Sequence, residues 1–225
     1  MCGRFTQSLT GEAIASAFDL AEIPPWVPRY NIAPTQMVPA ILLHDTRQFQ
    51  ALRWGLIPSW AKDPTIGAKL INARSETVAE KPSFRSAFKK RRCLIVADGF
   101  YEWQKQAGKK QPFYFRLDQG QLFGFAGLWE QWQTPEGEVW QTCTILTTVG
   151  NDLLKMVHDR MPVILHEADY DRWLDPAQDP SVLQSLLRPY EADAMNAYPV
   201  SMGVNSPAKD TPDCMKPIKG TIPDN

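Results

Sequence analysis

The sequence predicts an α+β fold, a single domain whose mostly antiparallel β-sheets curl into a barrel-like core with helices at the periphery. Three observations lead there. From Cys93 to Val149, β-branched and aromatic runs follow one another with turn residues between them. Helical spacing is confined to short stretches on either side of that block. The 225 residues, 44% of them hydrophobic, hold no repeat and no low-complexity linker, so one core suffices. The domain is expected to span 1–225, with an ordered core over 2–207 and an irregular tail over 208–225, where Pro, Asp and Lys gather.

Each element has its own signal. Ala13, Ile14, Ala17 and Phe18 follow helical spacing behind Thr10, an N-cap residue type, which predicts a short amphipathic helix over 11–20. Residues 23–39 are rich in proline and read as an ordered loop or as extended chain. Met37 to Leu43 and Phe49 to Trp54 read as strands joined by a polar turn. Residues 75–88 look partly helical, with an interruption at Pro82. Strands are then expected over 93–103, 112–117, 122–130 and 139–149, separated by turns such as Gln106-Ala107-Gly108-Lys109 and Thr134-Pro135-Glu136-Gly137, in the manner of an antiparallel meander. Helices are expected at 151–157, 167–174 and 181–187, with a strand at 161–165 between the first two.

Charge and cysteine usage narrow the function classes. The net charge is only -1, yet residues 1–116 carry 17 Lys and Arg against 9 Asp and Glu, a net of +8, while residues 117–225 carry 7 against 16, a net of -9. Such asymmetry can give one basic face for a polyanion. The four cysteines lie far apart with no C-x-x-C pair and only three histidines accompany them, so no metal site is expected. Cys93 and Cys143 sit in apolar runs and read as inert core thiols. Neither a membrane span nor a signal peptide is visible, and a cytoplasmic location is expected.

Cys2 stands out by position. Removal of Met1 would make it the N-terminal residue, with an α-amine of unperturbed pKa about 7.7 to 8.0 against about 10.4 for lysine. That amine suits attack on an aldehyde. The thiol of the same residue can add to the resulting imine and close a five-membered thiazolidine, which only a 1,2-aminothiol can form.

The chain begins MCGRF and continues with RYNIAPTQ, RWGLIPSWAKD, INARSETV, KPSFR, RRCLIVADGFYEW, KQPFYF, AGLWE, HDRMPVIL and PVSMGVN. In this order the motifs resemble the SOS-response-associated peptidase family of abasic-site processing proteins, from Met1 to about Cys214. One departure is Val96, where the family pattern has proline before Ala97-Asp98-Gly99. The resemblance implies a covalent trap, in which the ring-opened aldehyde of an abasic deoxyribose in single-stranded DNA is captured by Cys2. It also implies a self-processing or peptidase-like activity and lyase-type chemistry. Carried over by position, Cys2 is the nucleophile, Asn72 and Arg74 help hold the deoxyribose and adjoining phosphate, Glu102 is the acid/base and His158 assists proton transfer.

The residues support these roles in their own terms. Strand alternation places Phe100 and Glu102 on one face, where burial would raise the carboxyl pKa and fit it to protonate the sugar ring oxygen. An exposed carboxylate on an edge strand is the alternative. His158 follows a helical stretch, where a histidine can equally be a C-terminal cap. Arg4, Arg29, Arg74 and Arg160 are candidate phosphate contacts, and Pro34, Trp54 and Trp60 candidate surfaces for unstacked bases. No cofactor is expected, and the partner is single-stranded DNA bound by a monomer. Two other readings remain at this point: a cysteine-nucleophile peptidase built on Cys2, His158 and Glu102, and a single-strand binder that holds DNA without a covalent bond.

Overall fold

The computed structural model describes residues 2–106 and 108–218. Its strands are β1 (Phe5–Gln7), β2 (Arg29–Ile32), β3 (Met37–Leu43), β4 (Arg47–Trp54), β5 (Asn72–Arg74), β6 (Arg92–Ala97), β7 (Gly99–Gln106), β8 (Lys109–Leu117), β9 (Phe123–Gln133), β10 (Val139–Val149), β11 (Arg160–Pro162), β12 (Ile164–Leu165) and β13 (Met195–Pro199). The helices are α1 (Gly11–Phe18), α2 (Arg85–Lys90), α3 (Asp152–Lys155), α4 (Tyr170–Leu174) and α5 (Pro180–Leu186). The class is α+β, as the strand-rich centre and short flanking helices predict.

Two sheets carry the fold. One runs in the order β13-β8-β7-β1-β2. In the other, β10, β4, β3, β6 and β9 follow in order, and β9 pairs back onto β10, closing a five-strand ring. Closure removes the free edges that an open sheet would expose. β10 also runs parallel to β4 and to β5, so it is the strand on which distant parts of the sequence converge.

Strand alternation divides the core in two. Along β6, Cys93, Ile95 and Ala97 point into a cluster with Phe5, Trp54, Phe100, Phe115 and Phe125, between the two sheets. Leu94 and Val96 point the other way, into a cluster with Ile14 and Phe18 of α1, Phe88 of α2 and Trp173 of α4. Both faces of β6 are thus covered, which explains a strand without polar alternation. Val96, at the position of the family's proline, is fully buried in this outer layer.

Several sequence expectations need correction. The run 93–103 is two strands in two sheets, because the chain leaves the ring at Asp98. The expected meander is therefore split: β7 and β8 pair in the first sheet, β9 and β10 in the second. Residues 75–84 form turns, and the helix begins only at Arg85, beyond Pro82. The expected strand 161–165 is broken into β11 and β12, whereas the proline-rich segment 23–39 holds β2 between irregular stretches, in keeping with an ordered loop or extended segment. Thr10 caps α1 as expected, accepting a hydrogen bond from the Ala13 amide. The Thr134–Gly137 turn closes with Gly137 at φ 92° and a 2.9 Å bond from its N–H to the Thr134 carbonyl. Ala107, in the other expected turn, lies outside the described residues.

The segment expected as an irregular tail is placed as far as Ile218. Asp210 pairs with Arg29, Cys214 is buried against Tyr101 and Tyr114, and Val200 bridges to Pro217. Residues 219–225 lie outside the described residues. No helix is long and apolar enough to cross a membrane, and no group of three or more His, Cys, Asp or Glu that could hold a metal ion occurs, in both cases among the described residues.

Candidate active site at the start of the chain

The N-terminal segment enters the fold as part of a sheet. β1 lies antiparallel to β7, with Phe5 opposite Phe100 and Thr6 opposite Gly99, and the Tyr101 N–H donates to the Arg4 carbonyl at 3.0 Å. Ahead of Phe5 the chain leaves regular strand structure, and Cys2 comes near enough to Glu102 for that carboxylate's charge to act on its thiol. Cys2 is fully buried in the cluster between the sheets. Its Sγ lies 3.9 Å from the Arg4 carbonyl oxygen. Burial pushes the thiol pKa well up, and the neighbouring Glu102 carboxylate pushes it further.

Glu102 is 3% exposed and shares its face of β7 with Phe100, as alternation predicts. Burial raises its carboxyl pKa, opposed by the charge of His158 among other groups. The edge-strand alternative for Glu102 is thus excluded by its burial. Met1 lies outside the described residues.

His158 lines the same cleft as Glu102. Its backbone N–H donates to the Leu154 carbonyl at 2.8 Å, but the C-cap of α3 is Met156, so His158 lies beyond the helix end. Nδ1 lies 3.0 Å from the Arg160 N–H and 3.1 Å from Asp159 Oδ1. Where Nδ1 accepts from Arg160, the neutral ring carries its proton on Nε2. A cleft of about 330 Å³ opens here, lined by Glu102, Trp103, Lys105, Lys110 and His158. Neither of the two lysines was assigned a role from the sequence, although Lys110 opens the KQPFYF motif. They face each other directly across β7 and β8, a like-charge pairing that a hairpin prediction from 99–117 could have exposed.

Asn72, Arg74 and Arg160 gather along β10. Asn72 sits opposite Ile145, whose side chain belongs to the same cluster as Cys2, so the two project from one side of the sheet. The Asn72 Nδ2 reaches the Ile145 carbonyl at 3.4 Å, while its Oδ1 is buried without a hydrogen-bond partner. Arg74 sits opposite Thr147 and is exposed. Arg160 donates to the Thr147 carbonyl at 2.7 Å and to both carboxylate oxygens of Glu76.

The remaining candidates are placed differently. Trp60 is 59% exposed, beside Lys62 and Lys69 in a separate cleft. Pro34 is half-buried in a turn held by the bond from Thr35 N–H to the Trp54 carbonyl, with Thr35 at φ 71°. Trp54 is fully buried and donates its Nε1–H to the Ile71 carbonyl at 2.9 Å, so it is core and offers no face to a base. Arg4 donates through Nη1 to Asn31 Oδ1 and to the Val204 carbonyl, both at 2.7 Å. Arg29 is paired with Asp210 and also bonds Gln36. Of the four candidate arginines, only Arg74 presents an exposed side chain.

Comparison with known proteins bears on this arrangement. The family model described as SOS response associated peptidase (SRAP) matches residues 1–207. The abasic site processing protein YoqW of Bacillus subtilis (strain 168) is 48% identical over 222 residues, covering 96% of this chain and 99% of that protein. The abasic site processing protein HMCES of Gallus gallus is 34% identical over 269 residues, covering 99% of this chain and 80% of that protein. A crystal structure of a protein from Bacteroides thetaiotaomicron superposes with a TM-score of 0.88 at 28% identity, covering 96% of this chain and all of that one. With a family match over nine-tenths of its length and relatives of this similarity, the chain belongs to the SOS response associated peptidase family.

Proposed function

We propose that this protein processes abasic sites in DNA, capturing them in single strands as a thiazolidine on Cys2 once Met1 has been removed. The observation that carries the proposal is that Cys2 is buried within reach of the charge of Glu102, which lines one cleft together with His158. Relatives named abasic site processing proteins, aligned over nearly the whole chain, support the choice of substrate.

The chemistry follows from these groups. An abasic deoxyribose is mostly a closed hemiacetal, so a proton must reach the ring oxygen before an aldehyde exists. Glu102, kept protonated to higher pH by its burial, delivers it. The Cys2 amine then adds to C1′, and the carbinolamine loses water as Glu102 or His158 returns a proton to the departing hydroxyl. The thiol adds across the C=N bond, its proton passing to nitrogen, and the ring closes. The product is protein plus DNA less one water. Asn72 and Arg74 hold the sugar and its phosphate, Arg160 a neighbouring phosphate, and Trp60 and Pro34 support bases freed from stacking. In this reading Arg4 and Arg29 act from within the fold, bracing the segments that carry Cys2 and Pro34.

The thiol's environment bears on the peptidase alternative. A peptidase needs a thiolate, and burial holds the Cys2 thiol neutral. Amine-first capture has no such requirement. Any peptidase or lyase activity is then assigned to the same groups, with the bond ahead of Cys2 as the peptide substrate. Intact mass tests the proposal, measured on the protein alone and after incubation with a uracil-containing oligonucleotide treated with uracil glycosylase. The expected result is a chain lacking Met1 and an adduct that survives denaturant and high salt. A complex that dissociates under both would overturn covalent capture in favour of simple strand binding.

A further inference from the structure

The β1–β7 register on which Cys2 depends is fixed by a buried polar network outside the cleft. Asp98 is the one residue between β6 and β7, where the chain passes from one sheet to the other. Its Oδ1 accepts the Thr6 hydroxyl at 2.5 Å, and its Oδ2 accepts both the Ser8 amide, at 3.2 Å, and the Ser8 hydroxyl. The Asp98 N–H donates to the Thr6 carbonyl at 3.1 Å. The Tyr114 hydroxyl lies 2.9 Å from Thr6 Oγ1, completing a chain from Tyr114 through Thr6 to the carboxylate.

This network has a built seat. A Cβ on Gly99 would come within 2.2 Å of the Tyr114 hydroxyl, so only glycine leaves room for that ring over the strand. Asp98 and Thr6 are both buried. β1 has only three residues. So short a strand has little pairing of its own to set its register, and a slip by one residue would turn each side chain to the opposite face.

We propose that Asp98, through Thr6 and Ser8, is a positioning residue for covalent capture: it holds β1 in the register that sets the Cys2 amine and thiol against Glu102. The inference rests on Cys2 capture as proposed above. It also separates two kinds of defect. Loss of Glu102 impairs proton delivery, which matters most while the sugar is closed. Loss of the Asp98 network displaces the attacking atoms themselves, whichever form the sugar takes.

Single-turnover crosslinking tests this, with natural abasic DNA and with an open-chain aldehyde analogue as substrates. Asp98→Asn should crosslink about 10- to 100-fold more slowly, the range expected for misplaced reacting groups. DNA affinity should be unchanged, and the deficit should be equal on the two substrates. Thr6→Val and Ser8→Ala should show smaller losses of the same pattern, and they carry the test if Asp98→Asn fails to fold. Combined with Asp98→Asn, Thr6→Val should add nothing further. Glu130→Gln breaks the partly buried pair with Arg91 elsewhere in the fold, and should lower thermal stability without slowing crosslinking. Wild-type crosslinking rates in both Asp98→Asn and Thr6→Val would overturn the positioning role alone. So would a rate loss in Glu130→Gln that matched its loss of stability. A wild-type protein that forms no adduct would overturn covalent capture, and the positioning role with it.

Discussion

Glu102→Gln should slow crosslinking to natural abasic DNA while making the folded protein more stable at neutral pH. The two effects share one cause. Glu102 is 3% exposed and its carboxyl pKa is raised by burial. Removing a general acid typically costs about 10²- to 10⁴-fold in rate. His158 lies close enough to relay part of the proton traffic, which places the expectation at about 10²- to 10³-fold, or roughly 3 to 4 kcal/mol of barrier.

The stability effect has the opposite sign. A carboxyl whose pKa is higher folded than unfolded binds more protons in the folded state, so stability falls as pH rises from the unfolded value towards the folded one. Above that window the folded protein bears the full cost of a buried charge. Glutamine keeps the shape and removes the charge, so the melting temperature of Glu102→Gln should exceed wild type at pH 8 and approach it at pH 4. The assay is single-turnover crosslinking with parallel thermal melts at the two pH values. The rate deficit should shrink with an open-chain aldehyde, because ring opening is bypassed. A variant that crosslinks natural abasic DNA at the wild-type rate would refute the acid role, whatever its stability.

Other substitutions probe the remaining groups. Cys2→Ala should bind DNA and give an imine trappable by borohydride, but no denaturant-stable adduct without reduction; gel electrophoresis with and without reductant reads both. Arg74→Glu should weaken capture by about tenfold or more, whereas Lys216→Glu, at an exposed site paired with Asp213, should leave it unchanged, as measured by fluorescence anisotropy. Trp60→Ala should cost about 1 to 3 kcal/mol of single-strand affinity with little loss of stability. Trp54→Ala should instead destabilise the fold by about 3 to 5 kcal/mol, seen in chemical denaturation.

These contrasts show where sequence reasoning reaches its limit. Trp54 and Trp60 are the same residue type six positions apart, yet one is core and one is surface. Periodicity could not separate them, because Trp54 ends a strand and Trp60 follows in an irregular loop. The run 93–103 is apolar on both sides of Asp98, so hydropathy gave no hint that its halves belong to different sheets. Asp98-Gly99 was a turn signal hidden inside a strand signal. Glu102 was legible because alternation within one strand is local. The sharing of one cleft by Glu102 and His158 was legible only through the family resemblance, because it joins β7 of one sheet to the segment before β11 of the other. The pairings that build those sheets are made by backbone groups that every residue carries. Charge asymmetry marked the first half as basic but did not distinguish Arg74, which faces solvent, from Arg29, which Asp210 occupies.

The complete burial of Cys2 imposes an order of events on the protein's maturation. The proposed capture needs a free Cys2 amine, and that amine belongs to a residue the closed sheets bury completely. On that proposal, Met1 is removed either from the nascent chain, in the interval between emergence from the ribosome and folding, or by the folded site on itself. In the first case, an N-terminal tag or a fast-folding variant would produce a well-folded but inert protein. Such a loss of activity would be written in the history of the chain and invisible in its melting curve.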